Sequence, residues 1–390
     1  MLCSSIKVIC LIYRIFIILD SKGYLSHTRI FSFVKYQKQK ICKKIKITYC
    51  NFNFFQILFP KFINYLRIKM NRRHFILTSS LLLSSFTLPF SLYGNDFKSL
   101  KIGYLPITDH LLIIAKEVMK SPFTPVKFAS WVELSEALRA DSIDGAFILT
   151  PLSLKLYSQG VNLKALIAAH RNGSALIVKK GLILSSGKRD IHVLKGLKIA
   201  IPSRFSTHYL LLTNLLKDNG LSVKDIQLID MSPPEMLSAL AYGNIDGFIV
   251  AEPFAISAEN REIGDVWILS KDIIDSHICC VLSFRQSVLE QRRQEIVQII
   301  RDFARCALWI KNNPQQSAYL SIKFLGQKAP IIENLLAQDK RVIYESLALT
   351  PKDISRVLQD MQESHISNEK IAHLTFKDFV DSSFIEEVSL

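Results

Sequence analysis

Acidic residues are all but missing from the first quarter of this 390-residue chain. Residues 1–94 hold 15 of the 49 Lys and Arg residues and a single acid, Asp20, so nearly all of the formal net charge of +15 sits there. The remainder carries 34 bases against 33 acids and is close to neutral. The basic total therefore belongs to a leader, and composition gives no ground for a nucleic-acid-binding face.

Long apolar runs are also short at the start. Residues 8–19 are apolar, but Arg14 interrupts them and the run falls below the roughly 20 residues that a membrane span needs. Residues 1–69 show no sustained periodicity and are read as a leader outside the fold. Met70 opens a better-formed beginning: Arg72 and Arg73, an apolar and small-residue run over 76–90, then a short polar end at Asn95. These are the three parts of an export signal, assigned to 70–94. The paired arginines before Phe75 resemble a twin-arginine signal, although the lysine often found after the apolar pair is missing. No cysteine stands where a lipid anchor would need one.

Cysteine is sparse in the body of the chain. Four of the seven lie in the leader, leaving Cys279, Cys280 and Cys306. An odd set with one adjacent pair is neither a disulfide framework nor a zinc-ligand spacing. Cys279 and Cys280 are read as small apolar residues on opposite faces of a strand. No helix carries histidines or carboxylates at catalytic spacing, and no catalytic residue, metal or cofactor is assigned.

What the chain does have is a repeat. Residues 136–151 read EALRADSIDGAFILTP and residues 238–253 read SALAYGNIDGFIVAEP. At one constant offset they match at Ala137/Ala239, Leu138/Leu240, Ile143/Ile245, Asp144/Asp246, Gly145/Gly247 and Pro151/Pro253, and Ile148 meets Ile249 after a one-residue slip. Each copy is the end of an amphipathic helix, a polar break, and an apolar run too short for a helix of its own, which predicts a helix followed by a buried strand. Asp-Gly is read as the turn into that strand, and the proline as its end and the start of a new helix. Upstream of each copy, residues 101–106 (KIGYLP) echo 198–203 (KIAIPS).

These units predict an α/β fold of two Rossmann-like lobes with a cleft and hinge between them, strands paired in parallel within each lobe. The first lobe is expected over 97–183, completed by a mostly helical segment over 278–390, and the second over 190–275. Strands are expected near 101–105, 125–129, 143–149, 163–169 and 175–179 in the first lobe. A helix over 111–120 is expected to be capped by Thr108 and Asp109. Later helices are expected over 286–311, 315–325, 331–344 and 351–363.

In open α/β sheets ligands gather at the carboxyl ends of strands. There the chain places Thr108, Asp109, Trp131, Thr150, Arg171, Asn172, Ser206, Thr207, His208 and Glu252. Most of these also begin helices, whose free N–H groups suit a small anion or polar ligand.

Residues 103–109 (GYLPITD), the Ser130-Trp131 element, residues 206–208 (STH), 233–236 (PPEM) and 246–253 (DGFIVAEP) occur in this order. Together they resemble the nitrate, bicarbonate, sulfonate and taurine group of substrate-binding proteins that serve ABC importers, closest to the nitrate/bicarbonate branch. The resemblance covers about residues 101–282 and implies a two-lobed periplasmic-binding-protein type II fold. It implies a periplasmic, non-catalytic receptor that closes over a small solute and delivers it to ABC permease and ATPase subunits, touching the membrane only through them. It also implies that Trp131 lines the pocket and that His208 contacts an anion. Glu252 matches the acid of the family's Gly-Glu-Pro element, with Ala251 where glycine is usual. One departure matters: where the nitrate/bicarbonate branch carries a lysine, residues 277–282 read HICCVL. Losing a charge-assisted hydrogen bond, about 1.5–3 kcal/mol, is enough to change the preferred ligand, and Arg171 is the candidate replacement. The alternative is a thiamine-pyrimidine-precursor binding protein or biosynthetic enzyme of the same fold. The enzyme uses pyridoxal on a lysine beside a cysteine-rich stretch, and an export signal argues against it.

Overall fold

Two five-stranded sheets, each built around one copy of the repeat, organise the chain. The computed structural model describes residues 99–183 and 189–388, so the expected leader and export signal lie outside the described residues. The strands are β1 (Leu100–Tyr104), β2 (Phe123–Lys127), β3 (Gly145–Leu149), β4 (Leu163–Ala168), β5 (Arg171–Asn172) and β6 (Ser174–Lys179). They continue with β7 (Lys198–Ile201), β8 (Gln227–Asp230), β9 (Gly247–Ala251), β10 (Gly264–Leu269), β11 (Cys280–Arg285) and β12 (Val342–Ile343). The first sheet runs β2-β1-β3-β11-β4 and the second runs β8-β7-β9-β6-β10. Position for position, the two orders correspond.

The expected parallel pairing holds for β1 with β2 and β3, and for β7 with β8 and β9. The fourth strand of each sheet departs from it. Strand β11 lies antiparallel between β3 and β4, and β6 lies antiparallel between β9 and β10. Each follows directly on a crossover and enters its new sheet from the cleft side, so it runs against its neighbours. The strand expected over 175–179 in the first lobe is thus β6 of the second sheet, moved there because the crossover falls before it, at residues 169–173.

The repeated Asp-Gly pair plays one part in both copies. Asp144 accepts the backbone N–H of Lys101 (2.7 Å) and Asp246 that of Lys198 (2.9 Å), and in return each aspartate N–H donates to the same lysine's carbonyl at 2.9 Å. Arg285, at the end of β11, and Lys179, at the end of β6, then pair with Asp144 and Asp246. Neither glycine adopts a positive φ. Each is needed for close approach: a Cβ on Gly145 would stand 2.6 Å from the Phe284 ring, and one on Gly247 would stand 2.5 Å from the Ile177 carbonyl oxygen. The pair is a sheet clamp more than a free turn.

The helices that matter for the cleft are α1 (Trp131–Arg139), α2 (Thr150–Ser158), α3 (Thr207–Asp218), α4 (Pro233–Ala241), α5 (Phe254–Asn260), α6 (Arg293–Asn312), α7 (Pro314–Leu325), α8 (Ala329–Ala337) and α9 (Pro351–Glu363). Helix α9 packs against α2 of the first lobe and α3 of the second, and α8 packs against α5. The carboxyl-terminal segment therefore touches both lobes. The helix expected over 286–311 is interrupted at Arg292, whose φ of −131° and ψ of 33° leave the helical region. That expected over 331–344 stops at Ala337, and β12 pairs instead with β5. Where a helix over 111–120 capped by Thr108 and Asp109 was expected, residues 108–114 form a 3-10 helix whose N-cap, Ile107, makes no side-chain cap bond, and a short α-helix follows over Ala115–Val118. Thr108 and Asp109 are drawn into the cleft instead.

Candidate functional site

Both lobes send a helix start to the same backbone atom. Thr150 opens α2 behind β3, and Thr207 opens α3 behind β7, held by Ser206, whose hydroxyl accepts the N–H of Tyr209 at 3.1 Å. The Thr150 hydroxyl donates to the carbonyl of Cys279 at 3.0 Å, the Thr207 hydroxyl donates to it at 2.9 Å, and the Thr150 N–H donates to it as well. Cys279 sits on the second crossover, just before β11. The lobes also meet directly, with the N–H and hydroxyl of Thr108 both donating to the carbonyl of Glu252.

Around this junction lies a buried polar cluster drawn from both lobes and both crossovers: Asp109, His170, His208, His277, Cys279 and Cys280. His170 Nε2 stands 2.7 Å from Asp109 Oδ1. The Cys280 thiol donates to Asp109 Oδ2 at 3.4 Å. His208 Nε2 is 3.1 Å from the Ser174 hydroxyl and 3.9 Å from Cys279 Sγ. Tyr344, from the carboxyl-terminal segment, donates its hydroxyl to the Thr108 carbonyl at 2.7 Å and lies beside His170. Gly173 makes room for this: its φ is +83°, and a Cβ there would come within 2.5 Å of His170 Nε2.

The charges follow from burial and neighbours. Burial pushes the Asp109 carboxyl up, but the charge and hydrogen bond of His170, aided by His110 and His208, outweigh it and hold it at about 2. Burial lowers His208 and His277 to about 4 and His110 to about 3, and raises the Cys279 thiol to about 11. Asp109 is thus a carboxylate paired with His170, beside the imidazoles of His208 and His277 and the two thiols, which stay neutral. Several buried polar atoms here have no hydrogen-bond partner: Nδ1 of His170 and of His208, and Nε1 of Trp131. Each such atom costs about 1–3 kcal/mol unless a water, an ion or a ligand partners it.

The residues named from sequence divide into two sets. Thr108, Asp109, Thr150, Thr207 and His208 come together at the junction. Trp131 begins α1 and lies edge-on to His110, with ring centroids 5.6 Å apart. The other four are committed elsewhere. Arg171 does not offer a free guanidinium to the cleft: it donates to the carbonyls of Ser276, Ser346 and Ala348 and to both oxygens of Asp353. Glu252 pairs with Arg341 (Nε to Oε1, 2.6 Å) and accepts the N–H of Ile256 in α5. Ser206 is spent as a cap, and Asn172 donates its amide to the Lys340 carbonyl. Sequence reasoning set residues 170–174 at the cleft but passed over His277 and the cysteine pair as site residues. The available signal was position: His170 and Cys279 flank the two crossovers, where any two-lobed cleft must be lined.

A family model described as the NMT1-like family matches residues 94–322. The chain is 32% identical over 220 residues to the nitrate import ATP-binding protein NrtC of Synechocystis, which covers 50% of this chain and 32% of that protein. So the chain spans only about a third of that relative's length. It is 26% identical over 313 residues to an aliphatic sulfonates-binding protein of Bacillus subtilis, covering 75% of this chain and 90% of the other. Among solved structures it resembles the ligand-binding component of an ABC-type import system from Staphylococcus aureus with zinc bound. That match has a TM-score of 0.67 and 29% identity, over 75% of this chain and 99% of that one.

Proposed function

This chain belongs to the NMT1-like family, and on that premise we propose that it is the extracytoplasmic solute receptor of an ABC importer, a binding protein and not an enzyme. It works in the periplasm with a permease and an ATP-binding partner. The observation that carries this reading is the shared acceptor of Thr150 and Thr207: helix starts from opposite lobes close on one crossover carbonyl, beside buried polar atoms from both lobes. Such a junction couples solute contacts to lobe closure, and a permease can read the closed form as a population shift. The resemblance to a sulfonate-binding protein over three quarters of the chain supports it.

The biosynthetic alternative needs a lysine in the cleft to carry pyridoxal. Among the described residues no lysine is buried, which favours the receptor. Arg171 is engaged with Asp353 and Asp109 is paired with His170, so neutral hydrogen-bonding groups at the junction are left to meet the solute.

The test is a thermal-shift screen with nitrate, bicarbonate, aliphatic sulfonates, taurine and a thiamine pyrimidine precursor. A true solute at a hundred times its Kd adds about 2.7 kcal/mol of stability. A Schiff-base absorbance on adding pyridoxal phosphate, with no shift from any solute, would sink the receptor reading.

A further inference from the structure

We propose that the junction holds a thiophilic divalent cation of the zinc class, ligated by Asp109, Cys279 and Cys280 with His208 beside them. One ligand atom from each of Asp109, Cys279 and Cys280 lies within 4.8 Å of the other two, all three residues fully buried. The distance from Asp109 Oδ2 to Cys280 Sγ, 3.4 Å, matches the edge of a tetrahedron whose centre is about 2.0–2.3 Å from oxygen and sulfur ligands. His208 Nε2 stands beside the set, 3.9 Å from Cys279 Sγ and 3.1 Å from the Ser174 hydroxyl.

A plain core role for the two cysteines does not account for this setting. Small apolar residues in a strand have no need of a carboxylate against one thiol and an imidazole against the other. Two adjacent residues reach one point because Cys279 lies outside the strand, its carbonyl gripped by Thr150 and Thr207, while Cys280 is the first residue of β11. A second observation points the same way: His208, buried beside Cys279, leaves its Nδ1 without a partner.

The donor set selects the metal. Two sulfurs beside one carboxylate favour zinc, cadmium or copper(I) over magnesium or calcium, which prefer oxygen. Binding converts both thiols to thiolates and releases two protons to solvent. A carboxylate and two thiolates against a dication leave one negative charge, which the imidazoles of His170 and His208 face. The inference goes beyond the receptor reading, because it concerns the ion and not the organic solute.

The test titrates the reduced protein with cadmium and follows thiolate-to-cadmium absorbance in the ultraviolet, with zinc competition and proton release measured in weak buffer. The expected result is saturation at one equivalent, displacement by zinc but not by magnesium, and two protons released. Cys279→Ser and Cys280→Ser should each abolish the band, Cys306→Ser should leave it intact, and Asp109→Asn should weaken binding at least tenfold. Circular dichroism identifies any variant that has lost its fold, and equilibrium dialysis of the unaltered protein against zinc gives the answer without variants. No band, a band that survives in both Cys279→Ser and Cys280→Ser, no zinc retained on dialysis, or a protein isolated two hydrogens lighter with Cys279 joined to Cys280 would each overturn the proposal. Running the solute screen on protein stripped of metal lets either proposal fail without the other.

Discussion

Thr150 and Thr207 begin helices on opposite lobes and donate their hydroxyls to the same atom, the carbonyl oxygen of Cys279. Opening the cleft must break at least one of these bonds. A net hydrogen bond contributes about 1 kcal/mol, so Thr150→Val and Thr207→Val should each lower the Tm by roughly 2 °C. Thr150 keeps its backbone N–H bond to Cys279, so its change should be the milder. The double variant should also have a larger radius of gyration by small-angle X-ray scattering. An unchanged radius would mean that these bonds do not hold the lobes shut.

The two glycines of the repeat should behave alike. A methyl at Gly145 meets the Phe284 ring and the Ser283 carbonyl, and one at Gly247 meets the Ile177 carbonyl. Overpacking of this kind costs about 1–3 kcal/mol. Gly247→Ala should fall in the upper part of that range, because backbone yields less than a side chain. Urea midpoints for the two variants check both the size and the order.

Arg171 is a structural cation, and its replacement should separate stability from binding. Its guanidinium satisfies three carbonyls and both oxygens of Asp353, an arrangement that a lysine's three donors on one nitrogen cannot copy. Breaking a buried pair costs about 3–5 kcal/mol. Arg171→Lys should therefore lower the Tm by several degrees and leave solute affinity unchanged where the variant is folded. A selective loss of affinity with normal stability would return Arg171 to the site.

Acid should loosen the second clamp. Burial pushes Asp246 up, but hydrogen bonds from the Lys179 side chain and the Lys198 backbone outweigh it, so its folded pKa lies below the ordinary value. A carboxyl lowered on folding adds stability that is complete above the unfolded pKa of about 4 and is lost as pH falls through the folded value. The stability gap between the unaltered protein and Asp246→Asn should be widest at neutral pH and close towards about pH 3. Urea denaturation at both pH values measures it, and a gap that widens in acid would contradict this sign.

Most of the frame was legible in the sequence because it is written twice. Asp144 and Asp246 occupy the same place in their sheets, and a duplicated helix-strand pattern has few ways to pack. What stayed hidden depends on contacts far apart in the chain. Whether residues 174–179 join the first or the second sheet is decided by where the chain crosses over, and an apolar strand suits either interior. The same holds for the site. Asp109 and Cys280 are 171 positions apart, so nothing local marks the cysteines as anything but core. Arg171 looked like a free cation because its partners, Ser276, Ser346, Ala348 and Asp353, all arrive from the later part of the chain.

The most direct test of a receptor site at the lobe junction is isothermal titration of the stabilising solute against the unaltered protein and His208→Ala. One site per chain is expected, with an affinity at least tenfold weaker in the variant, about 1.4 kcal/mol. Equal affinity in a folded His208→Ala protein would contradict it.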